Sequence, residues 1–145
     1  MLYKKLIMLA AAKIGVPFYL LLGICSHESG LRNIYVPNDN GTPSIGICQI
    51  KSETAKMLKH KGTKQELMNP EKNVTIAALY LKYQLDRYDN NPCQATAAYN
   101  AGTFFPSKKY LGRPVNYGYI KKVNKHLKEQ GQKIISCEQE FAYGN

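Results

Sequence analysis

Apolar residues recur at helical spacing along most of this chain, interrupted by one stretch with a different pattern. Leu6-Ile7-Met8-Leu9 and Ala10-Ala11-Ala12 form a first apolar run behind Lys4-Lys5, and Val16 to Ile24 form a second. Pro17 suits the first position of a helix that runs to about Glu28. Residues 34 to 50 change character: Ile34-Tyr35-Val36, a turn-rich Asn38-Asp39-Asn40-Gly41, then Ile45-Gly46-Ile47-Cys48-Gln49-Ile50. An Asn-Gly turn between apolar stretches predicts a β hairpin or tongue. Ser52 is placed to cap a short helix reaching about Gly62. Asn69-Pro70 opens a longer helix with Val74, Ala78, Leu81, Leu85 and Tyr88 on one core-facing stripe. Asn91-Pro92 opens another, which carries Ala95, Ala98 and Tyr99 and stops at Asn100-Ala101-Gly102. Thr103 to Pro114 lacks a period and reads as a long ordered loop beside a cleft. Val115, Tyr119, Val123 and Leu127 predict a last amphipathic helix, and residues 132–145 form a tail whose order the pattern leaves open. The expected class is α+β, predominantly α, with one domain over residues 1–131.

Composition then narrows the setting. A chain of 145 residues builds one hydrophobic core without metals or staples. Its formal charge of +10 points to a polyanionic partner: nucleic acid, an acidic membrane surface or an anionic cell-wall polymer. The lysines lie in separate patches, 51–64, 108–109 and 121–133, without the aromatic-interleaved motif of an RNA-binding module or the spacing of a zinc finger. Each patch taken alone reads as a solvated basic face, and no nucleic-acid partner is assigned. Charge by itself would still suit a helical nucleic-acid binder.

Two features bear on compartment. The amino terminus has the look of a secretory signal, yet Lys13 interrupts its short apolar run, and the segment makes equal sense as a first helix packed beneath the Pro17 helix. It is read as an uncleaved helix. Neither it nor Val16 to Ile24 is long enough to span a bilayer, so no stable membrane insertion is expected. The four cysteines are too scattered for a paired Cys-x-x-Cys metal site, and neither metal nor cofactor is expected. Cys25 and Cys48 lie in apolar stretches and read as buried thiols, whereas Cys93 and Cys137 would pair if the tail folded back.

The most informative segment is Leu20-Leu21-Leu22-Gly23-Ile24-Cys25-Ser26-His27-Glu28-Ser29-Gly30. Counting back from Glu28 at helical spacing gives Ile24, Leu21 and Leu20, so its carboxyl continues the row that faces the core. Burial there disfavours the charged form, raises the pKa and suits the group to donate a proton near neutral pH. The row alone leaves open a second reading, a helix-ending glutamate turned to solvent ahead of Gly30.

Ala12-Lys13-Ile14-Gly15-Val16-Pro17 through Leu21-Leu22, Glu28-Ser29-Gly30, Gly46-Ile47-Cys48-Gln49-Ile50, Ala98-Tyr99-Asn100-Ala101-Gly102 and Tyr119-Ile120-Lys121-Lys122-Val123 occur in an order that resembles the soluble lytic transglycosylase catalytic domain. The resemblance covers roughly residues 6 to 128, and Ala-Tyr-Asn-Ala-Gly is its most specific string. It implies a lysozyme-like fold with a small β hairpin or tongue, acting as a monomer on peptidoglycan glycan strands. Glu28 matches the family's single catalytic acid. The implied reaction cuts the β-1,4 bond between N-acetylmuramic acid and N-acetylglucosamine. Glu28 protonates the leaving oxygen, the muramyl acetamide assists, and Glu28 then acts as base while the sugar's own primary hydroxyl closes a 1,6-anhydro ring. No second catalytic carboxylate is required.

By the same resemblance Ser29 sits beside the acid near the acetamide, Gln49 offers an amide from the tongue, Tyr99 and Asn100 line the saccharide groove, and Tyr119 approaches the catalytic carboxyl. From the residues alone, Ser29 is a helix-ending polar group, Gln49 a solvent-facing strand residue, Tyr99 a core aromatic and Tyr119 part of an apolar stripe. Ile47 and Cys48 depart from the family's usual Leu and Met. Asp39 lies in the tongue turn, near where some related muramidases place a water-activating carboxylate, although an Asx turn is the better account of it. A hydrolytic muramidase of the same fold and a non-catalytic peptidoglycan-binding protein are therefore the alternatives. The bare basic domain would suit a phage lysin, a virion hydrolase or a small hydrolase serving an envelope-spanning apparatus, acting at the bacterial wall.

Overall fold

A computed structural model describes residues 2–138. Its elements are α1 (Leu2–Ile14), α2 (Phe18–Ser29), β1 (Tyr35–Asp39), β2 (Thr42–Ile45), α3 (Ser52–Met57), α4 (Lys64–Leu67), α5 (Pro70–Arg87), α6 (Pro92–Ala101) and α7 (Tyr117–Glu129). Helices dominate, and the two strands pair antiparallel as a hairpin with Tyr35 opposite Ile45 and Asp39 opposite Thr42. The turn forms as the Asn-Gly signal predicts: Asn40 and Gly41 both take positive φ, 57° and 94°. Asn38 Oδ1 accepts from the Gly41 N–H at 2.8 Å.

The core is built on α2, where Leu20, Leu21, Leu22, Ile24 and Cys25 are fully buried. Against it pack α1 through Ile7, Ala10 and Ala11, α5 through Ile76, Ala77 and Leu81, and α7 through Ile120, Val123 and Leu127. Gly23 sets the approach of α2 to α7, because a Cβ there would come within 2.8 Å of Leu127 Cγ. That closeness lets a side chain early in α7 reach the end of α2.

The caps of α5 and α6 follow the sequence. Asn69 Oδ1 accepts from the Lys72 N–H at 3.0 Å, Asn91 Oδ1 accepts from the Gln94 N–H at 2.9 Å, and proline takes the first turn of each helix. Two elements, α3 and α7, differ at their boundaries. Ser52 is the first residue of α3 rather than its cap, and α3 ends at Met57, not near Gly62, because Lys59 turns into the left-handed region at φ 67°. Val115 precedes α7 and is 52% exposed, its N–H donating to the Phe105 carbonyl across the 103–114 loop, so Ile120 replaces it on the buried stripe.

The cysteine reading changes most. Cys25 and Cys48 are not buried thiols but a disulfide, which joins α2 to the segment after β2. Cys93 and Cys137 form a second, and it fastens residues 132–138 back onto the helices. Ile135 is buried there, and its N–H and C=O pair with the Asn124 side chain at 2.8 and 2.9 Å. The rest of the tail lies outside the described residues. Among those described, no helix is long and apolar enough to cross a membrane.

Candidate active site

Glu28 occupies the last turn of α2, half-buried, at one wall of a cleft of about 300 Å³. The hairpin and the segment after it line the cleft with Asp39, Ser44, Gln49 and Lys51, while α5 and α6 supply Tyr80, Tyr99 and Asn100. Burial raises the pKa of the Glu28 carboxyl, a hydrogen bond from Tyr119 opposes that rise, and the charge of Asp39 adds to it. The balance is upward, toward the protonated form.

Tyr119 projects from the first turns of α7 and donates its hydroxyl to Glu28 Oε2 at 2.8 Å. His27 packs edge-on against the Tyr119 ring, centroids 5.2 Å apart. Burial, then the charges of His126 and Lys122, lower the His27 pKa, so it packs there as a neutral aromatic near neutral pH. Burial first and the Glu28 charge second push the Tyr119 phenol well above its ordinary range, and it stays a donor.

Tyr99 is a core aromatic that also lines the cleft. Its residue is 8% exposed and its hydroxyl is buried without a hydrogen-bond partner among the described residues. Asn100 is held by Asn116, whose Nδ2 donates to Asn100 Oδ1 at 2.9 Å and to the Ala97 carbonyl at 3.0 Å. The Asn100 amide is therefore oriented with its own N–H groups unspent. Gln49 is the reverse: its Nε2 donates to the Gly46 and Ile34 carbonyls at 2.9 and 3.2 Å, which leaves Oε1 as an acceptor for the cleft.

Ser29 is set apart from the other five. It is buried, donates to the Ile47 carbonyl at 2.6 Å and accepts from the Arg32 N–H at 3.0 Å, so its hydroxyl ties the end of α2 to the tongue. Asp39 lines the cleft but is engaged: Ser44 Oγ donates to its Oδ2 at 2.7 Å, and Lys51 Nζ lies 3.9 Å from the same oxygen. Lys51 also bonds the Asp39 and Thr42 carbonyls and so braces the hairpin. Sequence reasoning passed over Tyr80, Ser44, Lys51 and Asn116. The available signal for Tyr80 was an aromatic on α5 standing off its apolar stripe. Among the described residues no group of three or more His, Cys, Asp or Glu side chains is placed to hold a metal ion.

The family model described as Transglycosylase SLT domain matches residues 5–128, most of the chain and every element that builds the cleft. The chain belongs to this family. Protein IpgF of Shigella sonnei is 35% identical over 103 residues, which cover 69% of this chain and 66% of that protein. Membrane-bound lytic murein transglycosylase C of Histophilus somni is 31% identical over 114 residues, covering 69% of this chain and 31% of its relative. The chain thus spans just under two thirds of the Shigella protein and about a third of the Histophilus one. Among solved structures, an inactive mutant of the lytic transglycosylase Slt of Pseudomonas aeruginosa superposes with a TM-score of 0.61 at 17% identity, over 90% of this chain and 25% of that one. That likeness shows the fold, a predominantly helical lysozyme-like architecture with a small β hairpin.

Proposed function

We propose that this protein is a peptidoglycan lytic transglycosylase in which Glu28 serves first as acid and then as base. The observation that carries the reading is the Glu28 carboxyl itself, half-buried in the cleft wall, held by the Tyr119 hydroxyl and shifted toward its protonated form. Glu28 gives its proton to the leaving N-acetylglucosamine oxygen as the bond to the muramyl C1 breaks, with the neighbouring acetamide carrying the developing charge. The resulting carboxylate takes the proton from the muramyl primary hydroxyl as that oxygen bonds to C1. Glu28 ends protonated, as it began, and no water is consumed. Tyr119 fixes which carboxyl oxygen faces the bond. Asn100 as donor, Gln49 as acceptor and the unpartnered Tyr99 hydroxyl present complementary groups to an N-acetylated sugar. Ser29 contributes by holding the tongue against α2.

Two further features support action at the bacterial wall, reached by export or virion delivery. Both cysteine pairs are disulfides, as suits an oxidising compartment. The charge of +10 favours an anionic polymer. The relatives named lytic murein transglycosylases point the same way.

A second reading, hydrolysis by the same acid, has one observation in its favour: Asp39 lines the cleft and its charge reaches Glu28. Its bonds to Ser44 and the nearby Lys51 give it a structural occupation instead. Purified sacculi incubated with the protein test the assignment. Clearing by the wild type should fall at least about a hundredfold in Glu28→Gln, the scale of a lost general acid, and stay within a few-fold in Asp39→Asn. A Glu28→Gln variant that clears sacculi at the wild-type rate would refute the role of Glu28.

A further inference from the structure

The cleft wall continues beyond the cleft as a row of aromatic rings. Tyr99 meets Tyr80 at a centroid distance of 4.9 Å, and Tyr80 in turn lies parallel to Tyr83, interplanar angle 10° and centroids 6.2 Å apart. Tyr80 and Tyr83 are three residues apart on α5 and therefore share a face of that helix. A centroid distance well beyond ring-on-ring contact, combined with near-parallel planes, means the two rings are offset, and Tyr80 lines the cleft whereas Tyr83 lies outside its lining, so Tyr83 is the outer member of the row. Tyr83 is 40% exposed and plays no part in the core.

The outermost ring is held in position. The Arg87 guanidinium lies 5.5 Å from the Tyr83 ring and 5.0 Å from the Tyr88 ring. It also donates to the Gly102 carbonyl at 2.7 Å and to Thr103 Oγ1 at 3.2 Å, and Gly102 belongs to the cleft rim. The platform is thus tied to the same edge of the cleft that carries Asn100. A large amphipathic ring, fixed at the rim and continuous with the wall that holds the sugar, is prepaid in conformational entropy for a flat apolar ligand face.

We infer that Tyr83, with Tyr80 behind it, forms an outer saccharide subsite that stacks on the C–H face of a sugar ring in the part of the glycan strand that has left the cleft. The inference rests on the peptidoglycan reading and extends it, since it makes strand length a determinant of affinity. Short oligomers confined to the cleft do not reach Tyr83, and longer ones do.

The test uses the Glu28→Gln protein, so that ligand is bound and not consumed, with a ladder of peptidoglycan glycan oligomers of increasing length. Adding Tyr83→Ala should weaken the longer oligomers about five- to tenfold, the range for losing one well-seated aromatic contact, and leave the shortest binders unchanged. Tyr83→Phe should restore the length dependence. The chain contains no tryptophan, so Tyr83→Trp supplies a lone tryptophan at the subsite, excited selectively at wavelengths its tyrosines do not absorb. Its emission should shift with long oligomers and not with short ones. Unchanged affinity for long oligomers in Tyr83→Ala overturns the subsite while leaving the peptidoglycan reading intact. If no oligomer of any length binds the Glu28→Gln protein, the peptidoglycan reading falls and the subsite with it.

Discussion

Glu28 is costly to the fold in its charged form, the form that the proposed mechanism needs for its second step. Because burial raises its pKa, the native protein binds a proton more tightly than the unfolded chain does. Stability contributed by this group is therefore complete below its unfolded pKa and is lost as pH rises through the folded value. Glu28→Gln, which keeps an acceptor for Tyr119 and removes the charge, should raise the melting temperature at neutral pH and change it little near pH 3, as thermal unfolding at the two pH values would reveal. An unchanged or lower melting temperature at neutral pH would mean that the carboxylate is not strained by burial. The row Leu20, Leu21, Ile24 made this residue legible in sequence, because the helix is regular and its period places the carboxyl. The neighbouring Ser29 was not legible in the same way. Its direction depends on where the tongue folds, and that is decided by residues far along the chain.

The tongue shows the same division between local and distant causes. Its turn, and the asparagine caps of α5 and α6, were readable because each is set by two or three adjacent residues. The α3 boundary was missed since a lysine at positive φ carries no sequence signal, and the Cys25–Cys48 bond was missed since it forms only when the tongue lies on α2. What holds the base of the tongue is the buried Asn73. Its Oδ1 accepts from the Cys48 N–H at 2.9 Å, and its Nδ2 donates to the Ile45 and Leu67 carbonyls at 2.8 Å each. Gly46 leaves room for this side chain, since a Cβ there would sit 2.2 Å from Asn73 Nδ2. Asn73→Ala leaves the Cys48 N–H and the Leu67 carbonyl without these partners, while the Ile45 carbonyl keeps the Ile50 N–H at 2.9 Å, and should cost about 2 kcal/mol or more, measured as a lowered denaturant midpoint. A cost under about 1 kcal/mol would show that the Cys25–Cys48 bond and the Ser29 contact hold the tongue without Asn73.

At the scale of the whole molecule, the proposed function assigns the net charge of +10 and the cleft to different steps. Capture of an anionic wall polymer by a basic surface is screened by salt, with a Debye length of about 8 Å at physiological strength. Clearing of whole sacculi should therefore fall as salt rises above that strength, while cleavage of short neutral glycans changes less. Equal sensitivity on both substrates would place the charge effect inside the cleft. The chemistry in the cleft is tested most directly by the oxygen of the product. Sacculi digested in heavy-oxygen water should release 1,6-anhydromuramyl ends, one water lighter than reducing ends and free of the label, because the sugar's own hydroxyl closes on C1. Reducing ends carrying the heavy oxygen would contradict transglycosylation and make the protein a muramidase.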